Sequence, residues 1–164
     1  MASKGGKNED KTNVMRILDQ KKISYKAYAF PTGDQAPSGV EVAGILGVDP
    51  GKVFKTLVTI GKSGNHYVFI IPVAKELNLK LAAASVSEKN IEMIKSKDLL
   101  PLTGYVHGGC SPIGMKKFFT TTIDKSAENQ PDIIFSGGRI GYQVELTLEE
   151  LAKIIRFGMA DIAE

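Results

Sequence analysis

The sequence is short of the residue types from which many active sites are built. It holds one cysteine, two histidines and no tryptophan. A lone cysteine excludes an internal disulfide framework and fits a reducing compartment, so a cytoplasmic location is expected. His66, His107 and Cys110 cannot close a zinc site without carboxylates, and neither a metal nor a cofactor is expected. No apolar run approaches the roughly 20 residues needed to cross a bilayer, and "MASKGGKNEDK" lacks the apolar core of a signal peptide. Charge of one sign is also scarce. The net charge of +3 permits contact with a polyanion without demanding one, so any RNA affinity has to come from a local patch. Repeats, heptads and low-complexity linkers are missing too.

What is there reads as a tail or cloning remnant at residues 1–10 and one globular domain over 11–164. "TNVMRILDQKK" puts Val14, Ile17 and Leu18 on one helical face with Thr12 or Asn13 as N-cap. "ISYKAYAF" alternates as a strand ended by Pro31. Ser38 caps a helix, "GVEVAGILG", that Gly47 closes. "VFKTLVTIG" and "HYVFIIPV" flank the tight turn "KSGN" and predict a hairpin. "ELNLKLAAASVS" is helical, "KNIEMI" a short strand, and "KSKDLLPLTG" a helical turn ended by Pro101 and Gly104. Three strand-like runs follow, "FFTTTID", "DIIFSGG" and "IGYQVEL". "TLEELAKIIR" then has Thr147 and Glu150 in capping-box spacing before an amphipathic helix. Hairpins mixed with helical crossovers predict an α/β chain of the α+β type, a curved mixed sheet or partly closed barrel with peripheral helices.

Three places carry candidate chemistry. Lys55 lies on a strand where Val53, Lys55 and Leu57 share a face, so it is either a solvated edge lysine or a cation aimed into a cleft. "GYVHGGCSPIGMKK" offers Cys110 three residues from His107, but a catalytic pair normally meets through the fold and needs a third group to orient the base, and no capped helix clearly begins at the cysteine. Cys110 is therefore read as a partly buried small hydrophobe rather than a nucleophile. Gly108 and Gly109 can instead turn backbone N–H groups toward an oxyanion, or simply form a wide turn. "SGGRIG" poses the same choice between a hairpin turn and a second backbone clamp. Lys116, Lys117, Lys125 and Arg139 lie near these turns in sequence, as phosphate contacts or as a solvated face.

Together "GVDPGKVFKTLV", "TGYVHGGCSPIGMKK" and "SGGRIGYQVEL" resemble the three signature segments of the YbaK/EbsC family, relatives of the prolyl-tRNA synthetase editing domain. The similarity runs from about residue 12 to the C-terminal helix. It implies the fold of that associated domain and a free-standing deacylase that clears mischarged tRNA, chiefly Cys-tRNA(Pro) and also Cys-tRNA(Cys). It also implies Lys55 as the key functional group, with Gly108 approaching the aminoacyl ester. Phe30, Thr56, Gly109, Ser111, Ser136, Gly137 and Gln143 follow as substrate-binding positions. The implied partners are the acceptor end of the tRNA and, transiently, prolyl-tRNA synthetase. The family's mechanism has the cysteine substrate attack its own carbonyl, which fits a site without an obvious protein nucleophile. This sequence departs from the pattern at Phe30 (a tyrosine in the family), at Ser38 (an aromatic) and at Gln143 (an aspartate). Those departures bear on rate and preference. They leave an Ala-tRNA(Pro) deacylase, or a weakened tRNA- or synthetase-binding module, as alternatives.

Overall fold

A computed structural model describes residues 11–164, and the expected tail lies outside the described residues. Helix α1 (Asn13–Gln20) starts where Thr12 accepts the Met15 N–H at 3.2 Å, and it buries Val14, Met15 and Leu18. Strand β1 (Lys26–Ala29) is shorter than the alternating run suggested. Helix α2 (Gly39–Leu46) opens with a complete capping box between Ser38 and Glu41 and closes on left-handed Gly47, as its sequence requires.

A single turn at Pro50–Lys52 leads into β2 (Phe54–Gly61), which forms the expected antiparallel hairpin with β3 (His66–Pro72). Next come α3 (Leu79–Ser85), β4 (Ile91–Met93) and α4 (Ser96–Thr103). Pro101 does not end α4. It lies inside the helix on an exposed turn, where water can serve the carbonyl that proline leaves without a partner, and left-handed Gly104 closes the element.

Strands β5 (Thr120–Asp124), β6 (Ile133–Ser136) and β7 (Tyr142–Leu146) match the three predicted runs. The predicted C-terminal amphipathic helix is a single turn, α5 (Leu148–Leu151). Glu150 does not complete a capping box there. Its carboxylate accepts the Ser24 N–H at 3.1 Å and pairs with Lys153 at 2.9 Å instead. The chain then adds a strand the sequence did not announce, β8 (Gly158–Ala160), parallel to β5.

The strands form two sheets, ordered β1-β7-β6 and β4-β2-β3-β5-β8. One bridge between Val53 and Ile134, parallel in sense, brings the edge strand β6 alongside the start of β2. The main core lies against the inner face of the smaller sheet and gathers Phe54, Val58, Ile70, Phe135 and Val144. α2 covers a separate cluster of Val42, Ala43, Val53, Val73 and Ile134. α3 covers a third, around Phe69, Ile71 and Ala83.

Candidate functional site

Strand register assembles the site. Ser136 of β6 stands opposite Gln143 of β7, which stands opposite Tyr28 of β1. Val53 meets Ile134 in a single parallel bridge, and by alternation Lys55, two residues on, faces the same side as Val53. Side chains level with one another share a face. Ser136, Gln143 and Tyr28 therefore form a polar row across three strands, on the side that carries the α2 cluster, and Lys55 faces that side from β2. Phe30, two residues beyond Tyr28, packs against that cluster.

Lys55 is half-buried, flanked on its face by Val53 and Leu57 and paired in register with Ile71. It makes no ion pair or hydrogen bond with any described residue. A lysine in an apolar setting normally acquires a carboxylate, because burying an unpaired charge is costly. Its neighbour Thr56 shares the opposite face with Phe54 and Val58. The Thr56 hydroxyl is buried and finds no partner among the described residues.

Three loops meet at the end of this row. A Cβ on Gly108 would stand 2.8 Å from the Ala36 Cβ and 3.5 Å from Ile140, and Gly108 holds a left-handed φ of 88°. The double-glycine bend is thus pressed between the loop after β1 and the turn after β6. Gly141 lies equally close to the Phe30 carbonyl, which a Cβ would approach to 2.9 Å. Of the two glycines in the bend, Gly109 already donates its N–H to the Val106 carbonyl at 2.9 Å. The Gly108 N–H has no acceptor among the described residues. The oxyanion reading of the bend thus narrows to one donor.

The "SGGRIG" segment is a hairpin turn. Gly137 donates to the Tyr142 carbonyl at 2.8 Å, and Gly138 donates to the Ser136 hydroxyl at 3.1 Å. Ser111 is fully buried and its hydroxyl accepts the Ile113 N–H at 3.3 Å, which shapes its own loop. Cys110 is 9% exposed, and burial pushes its thiol up to about 12, so it stays protonated at neutral pH. His107, by contrast, is exposed.

Sequence reasoning missed the network beneath the row. The Tyr28 hydroxyl donates to the Glu145 carboxylate. Lys52 pairs with Asp132 and stands 3.3 Å from Glu145. Burial and then the Glu145 contact push the Tyr28 hydroxyl up to about 12. Burial depresses Lys52, but Asp132 and Glu145 outweigh it and leave the ammonium above its ordinary value. The signal was present in "YQVEL": a carboxylate alternating with core valine and leucine must have a partner.

Residues 34–154 match the model of the aminoacyl-tRNA editing domain. A protein of Enterococcus faecalis (strain ATCC 700802 / V583), named as a candidate Cys-tRNA(Pro)/Cys-tRNA(Cys) deacylase, EbsC, is 43% identical over 156 residues, covering 95% of each chain. Two solved structures share the fold. The hypothetical protein APE2540 superposes with a TM-score of 0.83 at 21% identity, covering 93% of this chain and 100% of its own. A candidate trans-editing enzyme for prolyl tRNA synthetase gives 0.80 at 23% identity, covering 92% and 96%. By a family match across most of its length and near full-length similarity to EbsC, this chain belongs to the aminoacyl-tRNA editing domain family.

Proposed function

We propose that this protein is a trans-acting editing deacylase that releases cysteine from mischarged Cys-tRNA(Pro), and from Cys-tRNA(Cys), in the cytoplasm. Prolyl-tRNA synthetase is the proposed transient partner that delivers the tRNA. The observation that carries the reading is Lys55, a half-buried ammonium without an acceptor of its own, facing the side of the polar row that ends at the glycine turns.

The chemistry suits what these residues offer. An aminoacyl ester is already activated, and for cysteine the nucleophile is the substrate's own sulfur. Sulfur attacks the carbonyl carbon, the ester carbon–oxygen bond breaks, and the terminal ribose hydroxyl leaves carrying the proton that the thiol gives up. The products are a cysteine thiolactone and free tRNA. The protein holds the ester in near-attack geometry and stabilises the developing oxyanion. Lys55 anchors the ester end or the terminal phosphate, and the Gly108 N–H faces the oxyanion. Phe30 walls the pocket, while Ser136 and Gln143 offer polar contacts on the side that Lys55 faces. Cys110 takes no part, because a thiol held near 12 is not a nucleophile at pH 7.

A deacylation panel of cysteinyl-, alanyl- and prolyl-tRNA, with and without the synthetase, tests this. Turnover is expected on the cysteinyl ester. Lys55→Ala should lower kcat/KM by about a hundredfold or more, in the range of losing an oxyanion contact, while Cys110→Ala retains turnover. Normal activity in Lys55→Ala removes that residue from its role, and a dead Cys110→Ala restores a protein thiol to the mechanism. Preference for the alanyl ester would reassign the substrate, since a pocket separates such neighbours by only about 1–3 kcal/mol. tRNA binding without turnover of any ester would mark a binding module.

A further inference from the structure

A second cleft, about 440 Å³ in volume, meets the candidate site at the hairpin turn, from which it takes Gly138 and Arg139. Its other walls are the start of α1 at Thr12–Val14, the Gly104–Tyr105 corner and Gly114. Four cationic residues line it, Lys11, Arg16, Lys116 and Arg139, and no carboxylate does among the described residues. Lys11 is paired with Asp19. Lys116 donates only to the Pro101 carbonyl, at 3.3 Å, and the Arg139 guanidinium lies 4.7 Å over the Tyr142 ring. Neither Lys116 nor Arg139 has a carboxylate partner among the described residues. α1 carries no acidic residue in its first turn, so the positive end of its dipole adds to the same field.

The walls are shaped as well as charged. Gly104, Gly114 and Gly138 all hold left-handed φ values, of 88°, 81° and 100°, and present bare backbone to the cleft. The volume falls within the roughly 300–1,000 Å³ of ligand sites, more than a lone phosphate needs. Such an opening suits a repeated anion with a narrow, hydrogen-bonding backbone. Through Gly138 and Arg139 the cleft adjoins the turn that follows Ser136.

We propose that this cleft binds the sugar–phosphate backbone of the tRNA acceptor strand, with Lys116 and Arg139 as its cationic donors. The assignment rests on the editing reading above and adds to it a phosphate track leading to the ester. Phosphodiesters then contribute to affinity, while the ester chemistry stays with the polar row.

The test compares two substrates in the full-length protein carrying Lys116→Glu. One is Cys-tRNA(Pro), and the other is the cysteinyl ester of adenosine, which has no phosphodiester. On the tRNA, KM should rise about tenfold with kcat nearly unchanged, and the slope of log affinity against log salt should flatten by about one phosphate contact. Turnover of the adenosine ester should stay at the wild-type level. Arg139→Gln should act in the same direction on KM for the tRNA. An unchanged KM and salt slope, or an equal loss on both substrates, overturns the proposal. So does unchanged tRNA affinity combined with weaker binding to prolyl-tRNA synthetase, which would make the cleft a protein contact. Uncharged tRNA, followed by fluorescence anisotropy, keeps the outcome separate from the editing reading. If wild-type protein deacylates nothing, that reading fails, while a Lys116-dependent, salt-dependent affinity for the RNA still decides the cleft.

Discussion

Ile133 and Phe135 of β6 point into the main core with Val144 and Leu146 of β7, while Ile134, Ser136, Gln143 and Glu145 on the same two strands face the other way, toward Tyr28 and Lys55. Burial does not separate these faces. Gln143 and Glu145 are 7% and 6% exposed, nearly as dry as Val144 and Leu146 at 0% and 2%. The difference lies in how each face is stabilised. One is held by apolar packing. The other adds pairing to the apolar α2 cluster around Ile134, with Glu145 taking the Tyr28 hydroxyl and lying 3.3 Å from Lys52. A buried polar layer is costly unless its groups are satisfied, and Lys55, which makes no ion pair among the described residues, lies on the same side as the paired network. That contrast separates a wholly apolar face of the sheet from one that also carries the residues proposed to meet the substrate.

The largest expected effect that sharpens this contrast comes from neighbours on β6. Phe135→Ala should cost about 3–5 kcal/mol in urea denaturation, the range for truncating a buried phenylalanine. Ser136→Ala, one residue on, should change stability by less than about 1 kcal/mol and lower kcat/KM instead. Full turnover in Ser136→Ala would break the division at that position. A smaller effect is expected at Gly108, where a left-handed φ and the Ala36 Cβ at 2.8 Å both oppose a side chain. Gly108→Ala should cost about 1–3 kcal/mol of stability and reduce kcat more than it raises KM. Unaltered kcat would show that the bend does not face the oxyanion. The smallest effect is at Thr56, whose hydroxyl is buried without a partner. Thr56→Val removes an unsatisfied group at nearly constant shape, so stability should hold or rise by up to about 1 kcal/mol. Activity decides the rest: retained turnover places Thr56 with the core, and lost turnover places its hydroxyl on the substrate.

Much of this architecture is legible in local sequence because the signals are local. Thr12, Ser38 and Thr147 all accept N–H groups at helix starts, Gly47 closes α2, and "KSGN" joins the β2–β3 hairpin. The alternation that puts Val53, Lys55 and Leu57 on one face is equally local. Pairings between distant segments are not. β8 pairs with β5 in parallel across more than thirty residues, and its "GMA" carries no strand propensity to announce it. Lys52 meets Asp132 and Glu145 through the fold alone. The commitment of the Gly109 N–H to Val106 depends on the conformation of one turn, which a pair of glycines leaves undetermined.

The seclusion of Cys110 bears on the proposed turnover of cysteine esters. The thiolactone of the proposed mechanism is an acylating agent, and the Gly108 N–H proposed to face the oxyanion belongs to the same loop as this sulfur. Burial to 9% exposure, which pushes the thiol up to about 12, disfavours the thiolate that would capture such an electrophile.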